Sequence, residues 1–233
     1  MTNQVTEKLI NGQTHTIELA TQELRNHFDD NHNCTKEILH QFNNLDYYTQ
    51  FITPDDKIIL DLGGNVGLFA IHVTPWAEKI ITVEPTPSHF ALNEQLTSQF
   101  NNITRLQAAV SNITGTTKFF LFESNSTMNS LIDRSGNFIM VDTITIPDII
   151  SKFKLKTVDF IKIDIEGSET IALDEHIISI LSTKVAKILI EFHEVNGISY
   201  EMQRDRYEPI FQKFGYETKQ FGPDGLFCNK KLK

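Results

Sequence analysis

The sequence predicts an α/β fold: a mostly parallel, seven-stranded sheet ending in an antiparallel C-terminal hairpin, with an N-terminal appendage. Three observations lead there. From Lys57 onward, short apolar runs alternate with stretches of helical period, the pattern of a parallel sheet covered on both faces. The first run ends in a glycine-rich turn, Asp61 to Gly67. Near the C-terminus the rhythm changes to two strand-like runs around Gly222-Pro223-Asp224-Gly225.

Taken in order, residues 1–52 form a hairpin and helical cap, and residues 53–233 the main domain. In the appendage, Asn11-Gly12 suits the positive φ angles of a tight hairpin turn. Helical stretches follow near 21–30 and 35–50, the second with Ile38, Leu39, Phe42 and Leu45 on one stripe. Thr53-Pro54-Asp55-Asp56 stops it. KIILDL (57–62) is then a strand, VGLFAIHVT (66–74) a helix, and KIITVE (79–84) a second strand. A helix runs from Ser88 to about Phe100, and RLQAAV (105–110) is the third strand. VDFIKID (158–164) is the fourth, IALDEHIISILS (171–182) a helix, and AKILIEFHE (186–194) the fifth strand. Between the third and fourth lie two more strand-like runs, TKFFLF (117–122) and IMVDTITI (139–146). The polar segment between them, Glu123 to Asn137, is placed over the substrate. A helix at 199–214 leads into the closing hairpin, YETKQF and LFCNKK.

Bulk properties narrow the function. The net charge of −9 and the lack of a Lys/Arg patch with interleaved aromatics speak against nucleic acid as a partner. No apolar run approaches the ~18 residues of a membrane span, and the first residues lack a signal-peptide pattern. Cys34 and Cys228 share no metal-ligand spacing, which fits a reducing, cytoplasmic setting.

The sharpest local signal is Asp61-Leu62-Gly63-Gly64-Asn65-Val66-Gly67 between a strand and a helix. Glycines let the backbone approach a ligand, and the helix that follows offers free N–H groups. A dinucleotide fingerprint would need glycine where Asn65 and Leu68 stand, and no Gly-Lys-Ser/Thr is present. A ligand without phosphate tolerates Asp61 at the strand end, whereas a pyrophosphate would be repelled. Glu84 ends the next strand, where a carboxylate can accept hydrogen bonds from both ribose hydroxyls. Capping of the following helices is the plain alternative for either acid. S-adenosyl-L-methionine (AdoMet) meets all these conditions.

Five segments in order, IILDLGGNVGLFAIH, ITVEPTPSHFALN, LQAAVSNITG, VDTITIPDII and VDFIKIDIEGSETIAL, resemble the successive motifs of FkbM-type methyltransferases, and ILIEFHE continues the match. The resemblance covers about residues 55–197, with KIDIEGSE its most specific piece. One departure is Gly64, where alanine is more usual. The resemblance implies a class I methyltransferase, Rossmann-like fold and AdoMet-dependent methyl transfer, releasing S-adenosylhomocysteine. The acceptor it implies is most often a hydroxyl, on surface-glycan sugars or polyketide-type products. It places Asp61, Gly63, Asn65 and Gly67 at the methionine end of the cofactor. Glu84 then takes the ribose, Pro85 after it also belongs to the cofactor site, and Gln107-Ala108-Ala109 lies near the adenine.

For the chemistry, a hydroxyl is a weak nucleophile, so a base or a metal is needed near the methyl group. Phe160, Lys162 and Asp164 share one strand face, with Glu166 just beyond; Glu191-Phe192-His193-Glu194 ends the next strand. Asp164, Glu166 and His193 are therefore the catalytic candidates, and Asp164 also borders the cofactor. Lys162 reads as a structural ion-pair partner, and Glu169 as a first-turn acid favoured by the helix dipole. The other histidines, His89 among them, read as surface or packing residues. With an ordinary pKa near 6.5, His193 would be neutral at pH 7 and the preferred base. Mg²⁺ or another divalent ion on the same side chains is the less favoured option. The function expected is transfer to a hydroxyl of a small-molecule or glycan acceptor. A silent AdoMet-fold module of a biosynthetic assembly is the alternative, but it should lack the strand-end acids. The absent phosphate motifs disfavour a nucleotide-using enzyme. Asp164-Ile165-Glu166-Gly167 replaces the Asn/Asp-Pro-Pro-Tyr-like tetrapeptide of nitrogen-directed enzymes.

Overall fold

In the computed structural model, which describes residues 4–18, 45–122, 126–133 and 136–232, all five runs read as parallel strands contribute to one sheet. The chain begins with β1 (Gln4–Lys8), β2 (Thr14–Glu18), α1 (Leu45–Thr49), β3 (Ile58–Leu62), α2 (Leu68–Val73), β4 (Lys79–Val83), α3 (Pro87–Thr97) and β5 (Ile103–Leu106). A second group follows: β6 (Ala109–Val110), β7 (Gly115–Phe120), β8 (Phe138–Ile144) and α4 (Ile146–Lys152). The last third supplies β9 (Val158–Ile163), α5 (Glu169–Ala172), α6 (Glu175–Leu181), β10 (Val185–Glu191), α7 (Tyr200–Lys213), β11 (Glu217–Phe221) and β12 (Gly225–Asn229).

The seven-stranded sheet has the order β11-β12-β10-β9-β3-β4-β5. All pairs are parallel except those of β12, which runs antiparallel to β10 and β11. From β3 the chain winds outward through β4 and β5, then returns to β9 on the other side of β3. Strand order thus reverses between β3 and β9, and a crevice opens beyond their carboxyl ends.

The core follows from the period-two alternation of strand side chains. Leu60, Leu62, Ile161, Ile163, Ile188 and Ile190 face α4, α6 and α7 on one side of the sheet. Ile59, Ile80, Phe160 and Leu189 face α1, α2 and α3 on the other. Both faces are apolar because both are covered, so the strands read as continuous hydrophobic runs.

Two segments depart from the sequence reading. RLQAAV is not one strand: β5 stops at Leu106, and Ala109–Val110 pairs in parallel with β8 in a separate three-stranded sheet, order β6-β8-β7. The apolar run carries no stop signal, so its transfer between sheets is invisible in the pattern. IALDEHIISILS is two helices, because Asp174 takes an extended conformation and its carboxylate caps Ile177 N at 2.7 Å. The predicted helix at 21–30, and most of that at 35–50, lie outside the described residues. Among the described residues no helix is long and apolar enough to cross a membrane.

The N-terminal hairpin pairs Gln4 to Lys8 with Glu18 to Thr14, but it turns through a loop of residues 9–13 in which Gly12, and not Asn11, takes a positive φ. Its turn is tied to α2 by Ile10 N donating to His72 O at 3.1 Å. Residues after α1 join the main sheet through Phe51, which stacks on Phe227 at 4.1 Å. Asp56 is buried beside them and accepts from Thr53 N and from Lys187 Nζ, each at 2.7 Å. Removing one partner of such a pair leaves the other charge buried without compensation. Asp56→Ala should therefore lower the unfolding free energy by about 3 kcal/mol in urea titrations. A loss below about 1 kcal/mol, the range of a surface pair, would mean that this pair does not anchor the segment.

Candidate active site

The turn after β3 is shaped by what lies against it. Gly63 has φ +83, and a Cβ there would sit 1.7 Å from the carbonyl oxygen of Asp164. Only glycine lets β3 pass so close to the end of β9. At Gly64 the obstacle is a side chain: a Cβ would lie 1.8 Å from Thr82 Oγ1. Thr82 thus fills the space that a methyl group at position 64 would need. The backbone N–H groups of Gly63 and Gly64 both donate to Val83 O, at 3.0 and 2.9 Å. Asn65, also at positive φ, donates its N–H to Glu84 Oε2 at 2.9 Å.

These residues border a pocket of about 880 Å³, open solvent included. Gly63, Asn65, Glu84, Pro85, Ala108, Asp164 and Glu166 line it. Asp61 and Gly67 do not. Asp61 is fully buried behind the turn, and Gly67 packs on Thr97 and Asn93. Glu84 is buried; Oε1 accepts from Thr86 N at 2.8 Å and Oε2 from Asn65 N. Burial pushes its carboxyl above the ordinary value against those two hydrogen bonds. Each of its oxygens keeps a second lone pair for a ligand. The side-chain oxygen of Asn65 is buried without a hydrogen-bond partner, the mark of a site that a polar ligand would complete. The donor set therefore fits AdoMet: backbone and amide groups at the turn, a two-oxygen acceptor at Glu84, and apolar Ala108 beyond.

Beyond the pocket the ends of β9 and β10 bring charged side chains together. Asp61 on β3 is in register with Lys162 on β9 and with Thr82 on β4. Lys162 is buried, with Nζ 3.0 Å from Asp164 Oδ2, 3.8 Å from Asp61 Oδ1 and 3.4 Å from Gly63 O. It also lies 5.1 Å from the centre of the Tyr48 ring. Burial disfavours its charge, but Asp164 and Asp61 outweigh burial and raise its pKa. The ion-pair role read for Lys162 matches this arrangement. Burial likewise works against the charge of Asp164, yet Lys162 and His193 hold its pKa below the ordinary value.

His193 is fixed by a residue that the sequence reading had set aside. Glu169 is buried, and its Oε1 accepts from Ile165 N at 2.9 Å and from Gly167 N at 3.3 Å, and lies 3.2 Å from His193 Nδ1. Glu169 stands in the first turn of α5 as read, and its carboxylate also orients an imidazole. His193 Nε2 then faces Asp164 Oδ1 at 3.6 Å, Glu166 Oε2 at 3.7 Å and Glu191 Oε1 at 4.0 Å. Burial alone would lower its pKa, but Glu169, Glu166 and Asp164 raise it well above 6.5. The expectation of a neutral His193 at pH 7 is corrected: the carboxylates around it keep the imidazole protonated.

The groups poised near neutrality are carboxyls. Burial and the charge of Asp164 push Glu191 up to about 7, against a 2.6 Å hydrogen bond from Tyr48 Oη to its Oε2. Burial, with the charges of Asp164 and Glu169, pushes Glu166 up to about 8 despite His193. Such a cluster titrates as a unit. Tyr48 escaped the sequence reading because it lies 143 residues from Glu191. His89 did too: it is buried and lines the pocket, with Nε2 2.9 Å from Ser126 Oγ. Asp164, Glu191 and His193 each offer a donor atom, all within 4.8 Å of one another, and could hold a metal ion.

The strand order, the reversal between β3 and β9, and the antiparallel β12 define a class I methyltransferase fold. The methyltransferase FkbM domain model matches residues 61–218, and the chain belongs to that family of AdoMet-dependent methyltransferases. No curated protein matches the sequence. Among solved structures, magnesium protoporphyrin IX methyltransferase from Synechocystis, with bound SAM, is similar at 10% identity and TM-score 0.49, over 84% of this chain and 82% of that one. A fibrillarin pre-rRNA processing protein from Methanococcus jannaschii is similar at 12% identity and TM-score 0.48, over 77% and 69%.

Two predictions follow from this geometry. Gly64→Ala should destabilise the chain by about 1–3 kcal/mol through overpacking on Thr82, and Thr82→Ala should recover part of that loss in the same chain. Additive losses in a double-mutant cycle measured by urea unfolding would exclude the contact. The second concerns pH. An acid whose folded pKa is raised favours the protonated folded state, so its contribution is present below the unfolded value and lost as pH rises through the folded one. For Glu166 that window runs from the ordinary 4.5 to about 8. The melting temperature of the ligand-free chain should fall across it, and Glu166→Gln should flatten the fall. Parallel curves for the two proteins would show that Glu166 titrates normally.

Proposed function

We propose that the protein is an AdoMet-dependent O-methyltransferase acting on a hydroxyl of a sugar, glycan or related small-molecule acceptor, in the cytoplasm and without a nucleic-acid partner. The observation that carries this reading is the group of polar side chains at the ends of β9 and β10, the carboxyls of Asp164, Glu166 and Glu191 beside the fixed imidazole of His193. Asp164 and Glu166 border the pocket that fits the cofactor. Neighbouring hydroxyls of a polyol can hydrogen-bond to several of these groups at once.

AdoMet, when bound, supplies a methyl group on a positively charged sulfur. The chain's own residues do the rest. Gly63 to Asn65 hold the methionine end, Glu84 takes the ribose hydroxyls on its free lone pairs, and Pro85 and Ala108 flank the nucleoside. Asp164, kept ionised by Lys162, accepts a hydrogen bond from the acceptor and orients its oxygen. Glu191, poised near pH 7 and held by Tyr48, takes up the hydroxyl proton. Protonated His193 donates to a neighbouring oxygen and stabilises the carboxylates around it. The cap, residues 1–52, serves the acceptor side, since its α1 delivers Leu45 and Tyr48 to the pocket.

A divalent ion on Asp164, Glu191 and His193 is a second reading, favoured by their 4.8 Å clustering. One set of assays separates them. Methyl transfer to a panel of glycosides should be detected and should persist in EDTA. Glu191→Gln should lower kcat about 10²–10⁴-fold, the usual contribution of a general base, with AdoMet affinity retained. Activity lost in EDTA and restored by Mg²⁺ would replace the base with the ion. Transfer to amines alone would overturn the hydroxyl assignment.

A further inference from the structure

His89 occupies a place that neither fold nor acceptor chemistry explains. It stands in the first turn of α3 and is buried, yet it lines the pocket instead of the apolar core. Its Nδ1 lies 3.8 Å from Glu84 Oε1 and its Nε2 2.9 Å from Ser126 Oγ. Burial holds its pKa down to about 4, so the ring is neutral at pH 7, with one N–H and one acceptor nitrogen. Nε2 therefore meets the Ser126 hydroxyl in a neutral hydrogen bond whose donor is set by the ring tautomer. Glu, His and Ser in this sequence make the composition of a hydrolase triad, but the geometry is wrong. The gap to Glu84 is too long for a hydrogen bond, and the Glu84 oxygens already accept from Asn65 and Thr86.

Ser126 belongs to a stretch of pocket wall fastened at further points. Asn129 reaches Thr86 Oγ1 at 3.4 Å and accepts from Phe122 N at 2.7 Å. Ser130 Oγ and Leu131 N both lie 3.1 Å from Ser168 Oγ. The wall therefore runs from the loop after Glu84 to the loop that carries Asp164 and Glu166. His89 meets this wall at Ser126 from beside Glu84.

We propose that His89 is a positioning residue of the cofactor half of the site: through Ser126 it holds the 126–131 wall against the nucleoside that Glu84 binds. This rests on AdoMet occupying the pocket. A residue that only filled space there could be replaced by leucine without effect, so the nitrogen atoms are what the test must isolate.

The probe is S-adenosylhomocysteine, titrated by calorimetry and followed by stopped-flow on the full chain, which needs no acceptor. His89→Leu should weaken binding about fivefold, the loss of one hydrogen bond of ordinary strength, and most of it as faster dissociation. Ser126→Ala should lose the same factor, and the double variant no more than either alone. His89→Gln, whose amide can still meet Ser126, should bind close to wild type. Wild-type affinity in His89→Leu, or a double variant that sums the two losses, overturns the inference. If His89→Leu does not fold, Ser126→Ala decides it, because unchanged affinity there is equally fatal. A wild-type chain that fails to bind S-adenosylhomocysteine fails the cofactor reading itself, which keeps the two failures apart.

Discussion

The buried ammonium of Lys162 ties the ends of β3 and β9 together. It lies between Asp61 at the end of β3 and Asp164 just past the end of β9, and also meets the carbonyl of Gly63. Two adjacent strands and the glycine turn are therefore held in register by a charge as well as by backbone hydrogen bonds. Removing one member would leave the others buried and uncompensated, a loss of about 3–5 kcal/mol in comparable cases. The same cation keeps Asp164 ionised. Burial first, and ionised Asp164 with it, raises Glu166 and Glu191, while Glu169, Glu166 and Asp164 together keep the proton on His193 against burial.

That pattern marks the boundary of what was legible in the sequence. The strands, the order of helices and the turn at Asp61 to Gly67 were readable because period and glycine placement are local properties. Glu84 could be placed at the pocket because it follows the strand beside that turn. Convergence between distant residues was not readable. Tyr48 meets Glu191 across 143 residues, and nothing near either one announces the other. Glu169 looked like an ordinary first-turn acid, since the His193 it holds lies two elements away. The charge of His193 was misread for the same reason: an ordinary pKa describes an imidazole in water, not one facing four carboxylates. RLQAAV was read as one strand because both of the sheets it joins bury apolar side chains.

The two halves of the site differ in how they are built. The half beside the glycine turn is mostly backbone and buried hydrogen bonds, concentrated in the loops after β3 and β4. The half at the ends of β9 and β10 is side chains gathered from those strands and from the N-terminal α1, with charges that regulate one another. A site of the first kind resists change, because its donors are main-chain atoms. A site of the second kind changes its proton balance whenever one member changes.

Gly64 and Thr82 occupy one volume between them, so the two positions cannot be chosen independently. A methyl group at 64 would meet an oxygen that is not free to turn aside, because Thr82 donates its hydroxyl to Asp61 at 3.1 Å. The cost is that of an overpacked core, and it falls on whichever of the two side chains is enlarged second. The space behind the turn thus couples the backbone of β3 to a side chain on β4, and through its hydroxyl to the acid that faces Lys162.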